Sequence, residues 1–287
     1  MLAIYKKELR SYFTSMIGYV FIAFFLVIVG FYFYVQNLYT GYAQFEKTLY
    51  GVSSIFVMLV PLLTMRLMAE ENKQKTDQLL YTSPISAGAI AMGKFLAVFT
   101  VFLSAMAVTC FYPLILMPHG EVPMVTAYAS IIGFALFGGA YIAIGLFISS
   151  LTESQVVAAV ISFIVFLFTI FMESLADIIP ADNRTTFLVI SLILLIICFI
   201  LYLMMHNLTV AVGIGVIVEA VLILVYLVKP IFYDGLVSKM FGWLSVISRF
   251  YSFYLGIFDL ADIFYYISII FIFTFLTTQV IKKKRWS

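Results

Sequence analysis

The sequence predicts an all-α fold: a polytopic helical membrane protein with about eight transmembrane helices. Hydrophobic residues make up 64% of the 287 positions and charged residues only 10%, whereas soluble domains carry roughly 25% charged residues. Apolar runs of about 20 residues, long enough to cross a bilayer as a helix, recur along the chain. These two observations exclude a soluble globular domain and favour one membrane domain over residues 1–287.

The first fifteen residues are expected to form an amphipathic elbow helix on an anionic membrane surface. One face carries Leu2, Tyr5, Leu9, Tyr12 and Phe13, and the other carries Lys6, Lys7 and Arg10. The apolar run that follows, 16–35, is too long for the core of a signal peptide and lacks a small-residue cleavage site. We therefore expect a retained first span.

Seven further spans are predicted, at about 52–68, 88–117, 125–149, 154–173, 186–205, 208–228 and 260–281. Pro61 and Pro113 are expected to kink their spans, because proline removes a helix hydrogen bond. Eleven of the sixteen Lys and Arg residues fall in the segments that this count places on one side. The positive-inside rule then puts both termini and residues 69–86 in the cytoplasm.

The 69–86 segment is too long and too polar for a simple turn between spans. Thr76 is expected to cap a short helix that begins at Asp77. Leu79, Leu80 and Tyr81 would present an apolar anchor, which Glu70, Glu71, Lys73 and Lys75 surround as a polar rim. That arrangement is typical of a protein interface. The alternative is that these apolar side chains lie in the lipid interface.

Residues 230–258 are expected to form one or two short helices in the outer leaflet. Asp234 is the predicted cap of a helix whose shared face carries Leu236, Met240, Trp243, Leu244 and Ile247. The aromatic residues Phe250, Tyr251, Phe253, Tyr254 and Phe258 follow. Such aromatic density is typical of the lipid–water boundary. A platform that stacks a ligand is the alternative.

Two intramembrane features are candidate sites. Ala135, Gly139 and Ala143 recur at four-residue spacing, which lets helices approach closely, either within the chain or at a subunit interface. Glu219 is a carboxyl group near the middle of a span, where a charge costs roughly 2.5 to 3.5 kcal/mol. A protonated side chain that hydrogen-bonds to a neighbouring helix is favoured there over a proton relay.

Motifs for catalysis are not found in the sequence. Residues 88–94 mimic a phosphate-binding loop, but Phe95 stands where a magnesium-binding Ser or Thr is required. Lys94 is instead expected to extend to the inner membrane surface. Cys110 and Cys198 lie in apolar runs without metal-ligand spacing. We expect no enzyme activity, cofactor or metal on this chain, so that any ATP chemistry belongs to another one.

Over residues 1–180 and 245–287, and most clearly at 61–86, the chain resembles the permease subunits of ABC-2 type exporters, in the branch of gliding-motility and nitrous-oxide-reductase-maturation permeases. The matching residues are Thr64-Met65-Arg66, Glu70-Glu71, Thr76, Leu79-Leu80, Ser83-Pro84-Ile85-Ser86, Gly93-Lys94, Ala143-Ile144-Gly145, the run from Ser149 to Gln155 and the closing run from Tyr265 to Trp286. The chain departs from that pattern at Lys75, where glycine is usual, at Asn72, where arginine is usual, and at Gln78, where glutamate is usual. The 186–228 spans resemble an added pair on the usual six.

The resemblance implies an ATP-driven exporter subunit in a bacterial inner membrane. Its implied partners are two cytoplasmic ATPase subunits, which carry ATP and Mg, a second permease-type chain and the lipid membrane, with no nucleic acid. Residues 69–86 would then couple the permease to the ATPase, through Glu70, Glu71, Thr76, Asp77, Leu79, Leu80 and Tyr81. The alternatives are a secondary transporter, which normally shows inverted repeats or paired intramembrane charges, and a membrane scaffold that transports nothing.

Overall fold

The computed structural model describes residues 1–76, 78, 84–178, 182–205 and 208–286. All regular secondary structure in these ranges is helical. The α-helices are α1 (Leu2–Thr14), α2 (Met16–Phe33), α3 (Phe45–Thr64), α4 (Arg66–Gln74), α5 (Ala87–Thr109), α6 (Tyr112–Leu116), α7 (Met124–Leu151), α8 (Gln155–Ile178), α9 (Asn183–Met205), α10 (Leu208–Val228), α11 (Leu236–Leu244), α12 (Phe250–Tyr254) and α13 (Leu260–Trp286). The predicted all-helical class is confirmed for the described residues.

Six helical segments in the described ranges are long and apolar enough to cross a membrane: Met16–Leu38, Phe45–Gln74, Ala87–His119, Met124–Leu151, Gln155–Met172 and Leu260–Arg285. They coincide with the first five predicted spans and with the last one. Over the predicted pair at 186–228 lie a shorter apolar helix, Asn183–Ile196, and a helix pair bent by 115°, Gly215–Val228 with Pro230–Leu244. Among the described residues, the segments long and apolar enough to cross a membrane therefore number six, fewer than the expected eight.

The chain divides into two compact units, Met1–Phe168 with Ile247–Ser287, and Thr169–Val246. The first unit is built around α7, whose glycines admit large neighbours at van der Waals distance. A Cβ atom at Gly138 would lie 2.3 Å from the ring of Phe102, and one at Gly145 would lie 2.3 Å from the hydroxyl of Thr64. Only a residue without a side chain allows α3 and α5 to approach α7 so closely.

Aromatic rings fill the core of the first unit. Phe25, Phe56, Phe102 and Phe134 are fully buried and contact one another at ring-centroid distances of 5.0–6.2 Å. Phe250 joins them, 5.7 Å from Phe134. These densely packed aromatic rings form the hydrophobic core of the first unit.

The 250–258 segment differs from the expectation. Phe250 and Phe253 were predicted at the lipid–water boundary, but both are fully buried. Phe253 lies against Gly133 on α7, so the segment packs into the helical bundle, while Tyr251 and Phe258 stay exposed. Aromatic content alone does not distinguish these positions, because the side of the short helix that faces α7 is set by the chain path.

The helix before that segment also begins differently from the prediction. Asp234 was expected to cap α11, but Gly235 occupies the N-cap position in a left-handed conformation, and no side chain caps the helix. Met240, Trp243 and Leu244 are exposed along α11. That exposed apolar face is of the kind expected for a helix at a membrane surface.

The elbow helix is present, but its buried face is different. Ile4, Glu8 and Tyr12 are the buried residues of α1, whereas Leu2, one of the expected apolar-face residues, is exposed. These three positions repeat every four residues and so form one stripe along the helix. The stripe faces protein because α1 packs on α5, where Gly93 lies against Ile4.

In the second unit, α9 and α10 pack against each other. The rings of Phe187 and Tyr226 are tilted against each other with their centroids 4.9 Å apart, and the Tyr233 ring lies within 6 Å of both. The Ser191 hydroxyl donates a hydrogen bond to the Glu219 carboxyl group at 2.7 Å. Glu219 is thus hydrogen-bonded to a neighbouring helix, the geometry that a packing role requires.

Candidate functional site

The candidate site is built on α4, the short helix that continues α3 after a break. Met65 separates the two helices, and its N–H group is bonded to Pro61. Pro61 has no N–H group to donate within α3, which weakens the helix one turn before the break. The break between α3 and α4 therefore lies one turn after Pro61, where the span gives way to the charged segment.

Ser149 on α7 caps α4 from outside the helix. The first four N–H groups of any α-helix lack partners within it. The Ser149 hydroxyl oxygen accepts hydrogen bonds from the N–H groups of Met68 and Ala69, both at 3.1 Å, and donates to the carbonyl of Met65 at 3.0 Å. One fully buried side chain thus satisfies both sides of the break.

Asn72 attaches the other end of α4 to the same neighbour. Its side-chain amide donates to the carbonyl of Thr152 at 3.0 Å, just beyond the end of α7. Asn72 is buried. The substitution of asparagine for the arginine usual in the family pattern therefore sits at a contact between α4 and α7.

Four charged side chains from three helices form a closed set of ion pairs beside α4, here called the charge ring: Lys7 and Glu8 of α1, Glu71 of α4 and Lys94 of α5. Lys94 lies 2.8 Å from both carboxylates, Lys7 lies 2.9 Å from Glu71, and Lys7 and Glu8 close the ring at 3.9 Å. Positive and negative groups alternate, so the ring is neutral as a whole.

Lys94 is the most enclosed member of the charge ring. Its side chain is 1% exposed, and its ammonium group also donates to the carbonyl of Leu67 at 2.7 Å. The expectation that Lys94 extends to the membrane surface is therefore wrong. Three oxygen acceptors inside the protein replace the water that the ammonium group would otherwise seek.

Burial and the neighbouring charges shift the pKa values of two side chains of α1, Lys7 and Tyr12. Burial by itself lowers the pKa of Lys7, but its hydrogen bond to Glu71 and the nearby carboxylates outweigh that effect and raise the pKa above 10.5. Burial raises the pKa of Tyr12, and the charge of Glu8 adds to the rise. The Tyr12 hydroxyl stays protonated and donates to the carbonyl of Leu63 at 2.8 Å.

The end of α4 is a Schellman motif on a residue that is not glycine. Lys75 has φ +55° and ψ +20°, the left-handed conformation. Its N–H group bonds to Asn72, and that of Thr76 bonds to Glu71, which are the two hydrogen bonds of the motif. Glycine fits such a position without strain, which explains why it is usual there in the family pattern.

A cleft of about 300 Å³ opens between α1 and α4. Ser11 and Ser15 line it on the side of α1, and Arg66, Glu70 and Gln74 line it on the side of α4. Arg66 and Glu70 form an ion pair one turn apart on α4. Among the described residues, no group of three His, Cys, Asp or Glu side chains is placed to hold a metal ion.

The predicted coupling residues fall into two sets. Glu70 and Glu71 lie on α4 and Thr76 lies directly after it, whereas Asp77, Leu79, Leu80 and Tyr81 lie outside the described residues. Glu71 faces the charge ring instead of forming part of a rim exposed to water. The segment's far boundary is described: Ser86 caps α5 by accepting a hydrogen bond from the N–H group of Ala89.

The small residues of α7 are used inside the first unit. A Cβ atom at Gly139 would lie 3.1 Å from Phe99 on α5 and 3.2 Å from Ile270 on α13. Ala143 is fully buried, and Ala135 is partly exposed. The stripe thus contacts two helices of the same chain.

Four contributors to the site were not identified from sequence: Glu8, Lys94, Ser149 and the inward-facing amide of Asn72. One signal was available for Glu8, because it lies four residues after Ile4 and four before Tyr12 on the buried stripe of α1. A carboxyl group among apolar residues at helical spacing indicates a buried partner. Lys94 and Ser149 matched the family pattern, but that match assigned neither of them a role in the site.

A comparison with family models identifies a match to the ABC-2 family transporter protein model over residues 2–188. The match includes α1, α4, the charge ring and Ser149. Neither the curated proteins nor the solved structures contain a match. Because the matched region spans most of the chain and contains the whole candidate site, the chain belongs to the ABC-2 family of transporter proteins.

Proposed function

We propose that this chain is the permease subunit of an ATP-driven ABC-2 exporter of the gliding-motility and nitrous-oxide-reductase-maturation type. ATP hydrolysis takes place on two separate cytoplasmic ATPase subunits, which bind ATP and Mg, and this chain carries no cofactor of its own. Family membership supplies the class. The observation that carries the coupling role is the attachment of α4, through hydrogen bonds and ion pairs, to α1, α5 and α7.

In this proposal residues 69–86 are the element that receives the ATPase movement. The described part of the segment begins on α4 and ends at the capped start of α5. A displacement of the residues between them would act on α4 and α5 at once. Through α4 it would also act on α3, because these two helices are continuous except at Met65. This mechanical connection supports coupling over a purely lipid-facing role.

The proposed topology has eight crossings in a bacterial inner membrane, with both termini in the cytoplasm. The helices Asn183–Met205 and Leu208–Val228 have 23 and 21 residues. At 1.5 Å per residue each is about 30 Å long, enough to cross the hydrocarbon core. They would be the added pair, and residues 230–258 would return the chain on the outer side.

A second permease-type chain completes the proposed transporter. Buried aromatic rings fill the core of the first unit, so a substrate path along the axis of that unit would require repacking of its most densely packed part. A path formed between two permease chains avoids that cost. Glu219, which accepts a hydrogen bond from Ser191, is assigned a packing role here.

The first experiment tests the composition of the complex. The chain is purified in mild detergent together with the ATP-binding-cassette subunit encoded nearest to it, and the complex is weighed by native mass spectrometry. Two ATPase copies and two permease-type chains are expected. A stable chain that retains no ATPase, but whose transport follows an ion gradient in vesicles, would support the secondary-transporter alternative instead.

The second experiment tests the coupling segment. The double variant Leu79→Ala/Leu80→Ala is expected to insert normally but to release the ATPase or uncouple hydrolysis from transport, because an interface anchor is commonly worth about 2 kcal/mol or more. Leu260→Ala, at an exposed position outside this segment, is the matched control. Full ATPase retention and normal substrate stimulation in the double variant would remove 79–80 from the coupling role.

The third experiment tests the topology in a chain whose native cysteines, Cys110 and Cys198, are replaced by alanine. A cysteine at Ser238 should react with an impermeant thiol reagent applied to sealed cells, and a cysteine at Gln74 should react only after the membrane is opened. Reaction at Gln74 in sealed cells would contradict the proposed orientation.

A further inference from the structure

The charge ring joins three helices that are far apart in sequence. Lys7 and Glu8 lie in the elbow helix α1, Glu71 lies in α4, and Lys94 lies 23 residues beyond Glu71, in α5. Lys94 is the common member: its ammonium group reaches Glu8, Glu71 and the carbonyl of Leu67 at 2.7–2.8 Å. Without it, α1 and α4 share only the partly exposed Lys7–Glu71 pair among the ring contacts.

We infer that Lys94 is a positioning residue that fixes the elbow helix α1 onto α4, so that α1, α4 and the start of α5 move as one body during coupling. This inference rests on the proposed function, because it names a second element that receives the movement of the 69–86 segment. The elbow helix is then part of the transmission machinery and does not lie freely on the membrane surface.

The packing around the charge ring supports the inference. Ile4 lies 3.2 Å from the position that a Cβ atom would take at Gly93, next to Lys94. Tyr12 bonds to Leu63 at the end of α3. The buried stripe of the elbow helix thus contacts α5 near its N-terminal end and the end of α3 near its C-terminal end, and the charge ring lies between these two contacts.

Charge balance explains why Lys94 has this role and why a single substitution is informative. With Lys94 present the ring holds two positive and two negative groups. Removal of its ammonium group leaves two largely enclosed carboxylates with one exposed lysine, and unpaired buried charge is strongly unfavourable. Replacement of the three enclosed members, Glu8, Glu71 and Lys94, by neutral groups of similar shape avoids that penalty, because the remaining charge of Lys7 is exposed to water. The two kinds of variant therefore separate folding from positioning.

The first arm of the test uses the purified chain alone and measures amide hydrogen exchange. The neutral triple variant Glu8→Gln/Glu71→Gln/Lys94→Met keeps the volume of the site. We expect the α1 amides to exchange about tenfold faster or more in this variant, a change on the scale of local opening, while α7 keeps its protection. Glu70→Gln, next to Glu71 but outside the ring, is the matched control and should leave α1 exchange unchanged.

Two further variants keep this arm decisive. Lys94→Arg retains a charge with several donors and should keep part of the α1 protection, whereas Lys94→Met should lose it. If the triple variant protects α1 as well as the wild type does, apolar packing alone holds the elbow helix and the inference is overturned. Loss of protection throughout α7 in the triple variant would show that the ring supports the whole fold instead, which also overturns it.

The second arm uses the complex with the ATPase in lipid vesicles. We expect the triple variant to retain the ATPase but to transport less substrate for each ATP hydrolysed, by about fivefold or more, a coupling loss on the usual scale. Glu121→Gln, at an exposed site away from the charge ring, should behave as the wild type. A normal ratio in a variant whose α1 is released would overturn the transmission role.

The two arms also separate this inference from the proposed function. If the wild-type chain binds no ATPase, the proposed function fails, and the transmission role fails with it. The exchange arm still decides whether Lys94 fastens α1 to α4, because it needs no partner. If the ATPase binds and the exchange arm fails, the inference fails alone.

Discussion

Substitution of Ser149 by alanine is the sharpest test of how α4 is held. The change removes one hydroxyl group and leaves the N–H groups of Met68 and Ala69 and the carbonyl of Met65 without their shared partner. Ser149 is fully buried, so water does not readily replace the hydroxyl. The N-terminal turn of α4 should therefore loosen while α7 keeps its helical structure.

The size of the effect follows from these contacts. Loss of an N-cap side chain costs about 1 kcal/mol, and a buried polar group left unsatisfied costs about 1–3 kcal/mol. Because the hydroxyl serves both kinds of contact, we expect a loss of roughly 2–4 kcal/mol in the free energy of unfolding. At about 2–4 °C for each kcal/mol in a chain of this size, the apparent melting temperature should fall by roughly 4–16 °C.

The matched control is the neighbouring residue. Ser150 is equally buried, but its hydroxyl donates only to the carbonyl of Phe147 in its own helix, at 2.6 Å. That carbonyl belongs to the helix backbone, so Ser150→Ala should change the melting temperature by much less. Thermal unfolding in detergent and amide exchange of residues 66–74 provide the two measurements. Equal effects of the two substitutions would refute the capping role of Ser149.

Three further predictions concern single side chains. Lys75→Gly should stabilise the end of α4 by up to about 1 kcal/mol. Glycine avoids the left-handed penalty of roughly 1–2 kcal/mol at φ +55°, but it loses part of that gain in backbone entropy. A lower melting temperature would contradict this prediction. Glu219→Gln should keep transport and stability near those of the wild type, since an amide still accepts the bond from Ser191; transport lost in an intact complex would indicate a proton relay. Because the folded state raises the pKa of Lys7, its stabilising contribution is complete below pH 10.5 and is lost as the pH rises through the raised value. The difference in melting temperature between the wild type and Lys7→Gln should accordingly shrink in alkaline buffer, and a constant difference would exclude an ionic contribution.

The sequence by itself determined the helical membrane class and most of the span positions. Hydropathy and length suffice for that, because backbone groups in a bilayer must be satisfied within each segment, which leaves helices as the simplest solution. The break beside Pro61 and the position of the 69–86 segment were equally readable, since proline and clustered charge act locally.

Only the tertiary structure decided which side of each helix meets protein. Lys94 looked like a residue at a membrane surface, yet it is buried, because its two carboxylate partners lie 86 and 23 residues away in the chain. Phe250 and Phe253 looked like interfacial aromatics, and α7 takes them into the core. Ser149 matched the family pattern without an assigned role, and its role follows from its contact with the break at Met65. Periodicity shows that a helix has an apolar side, but the partner of a buried polar group depends on contacts between distant segments, which no local pattern encodes.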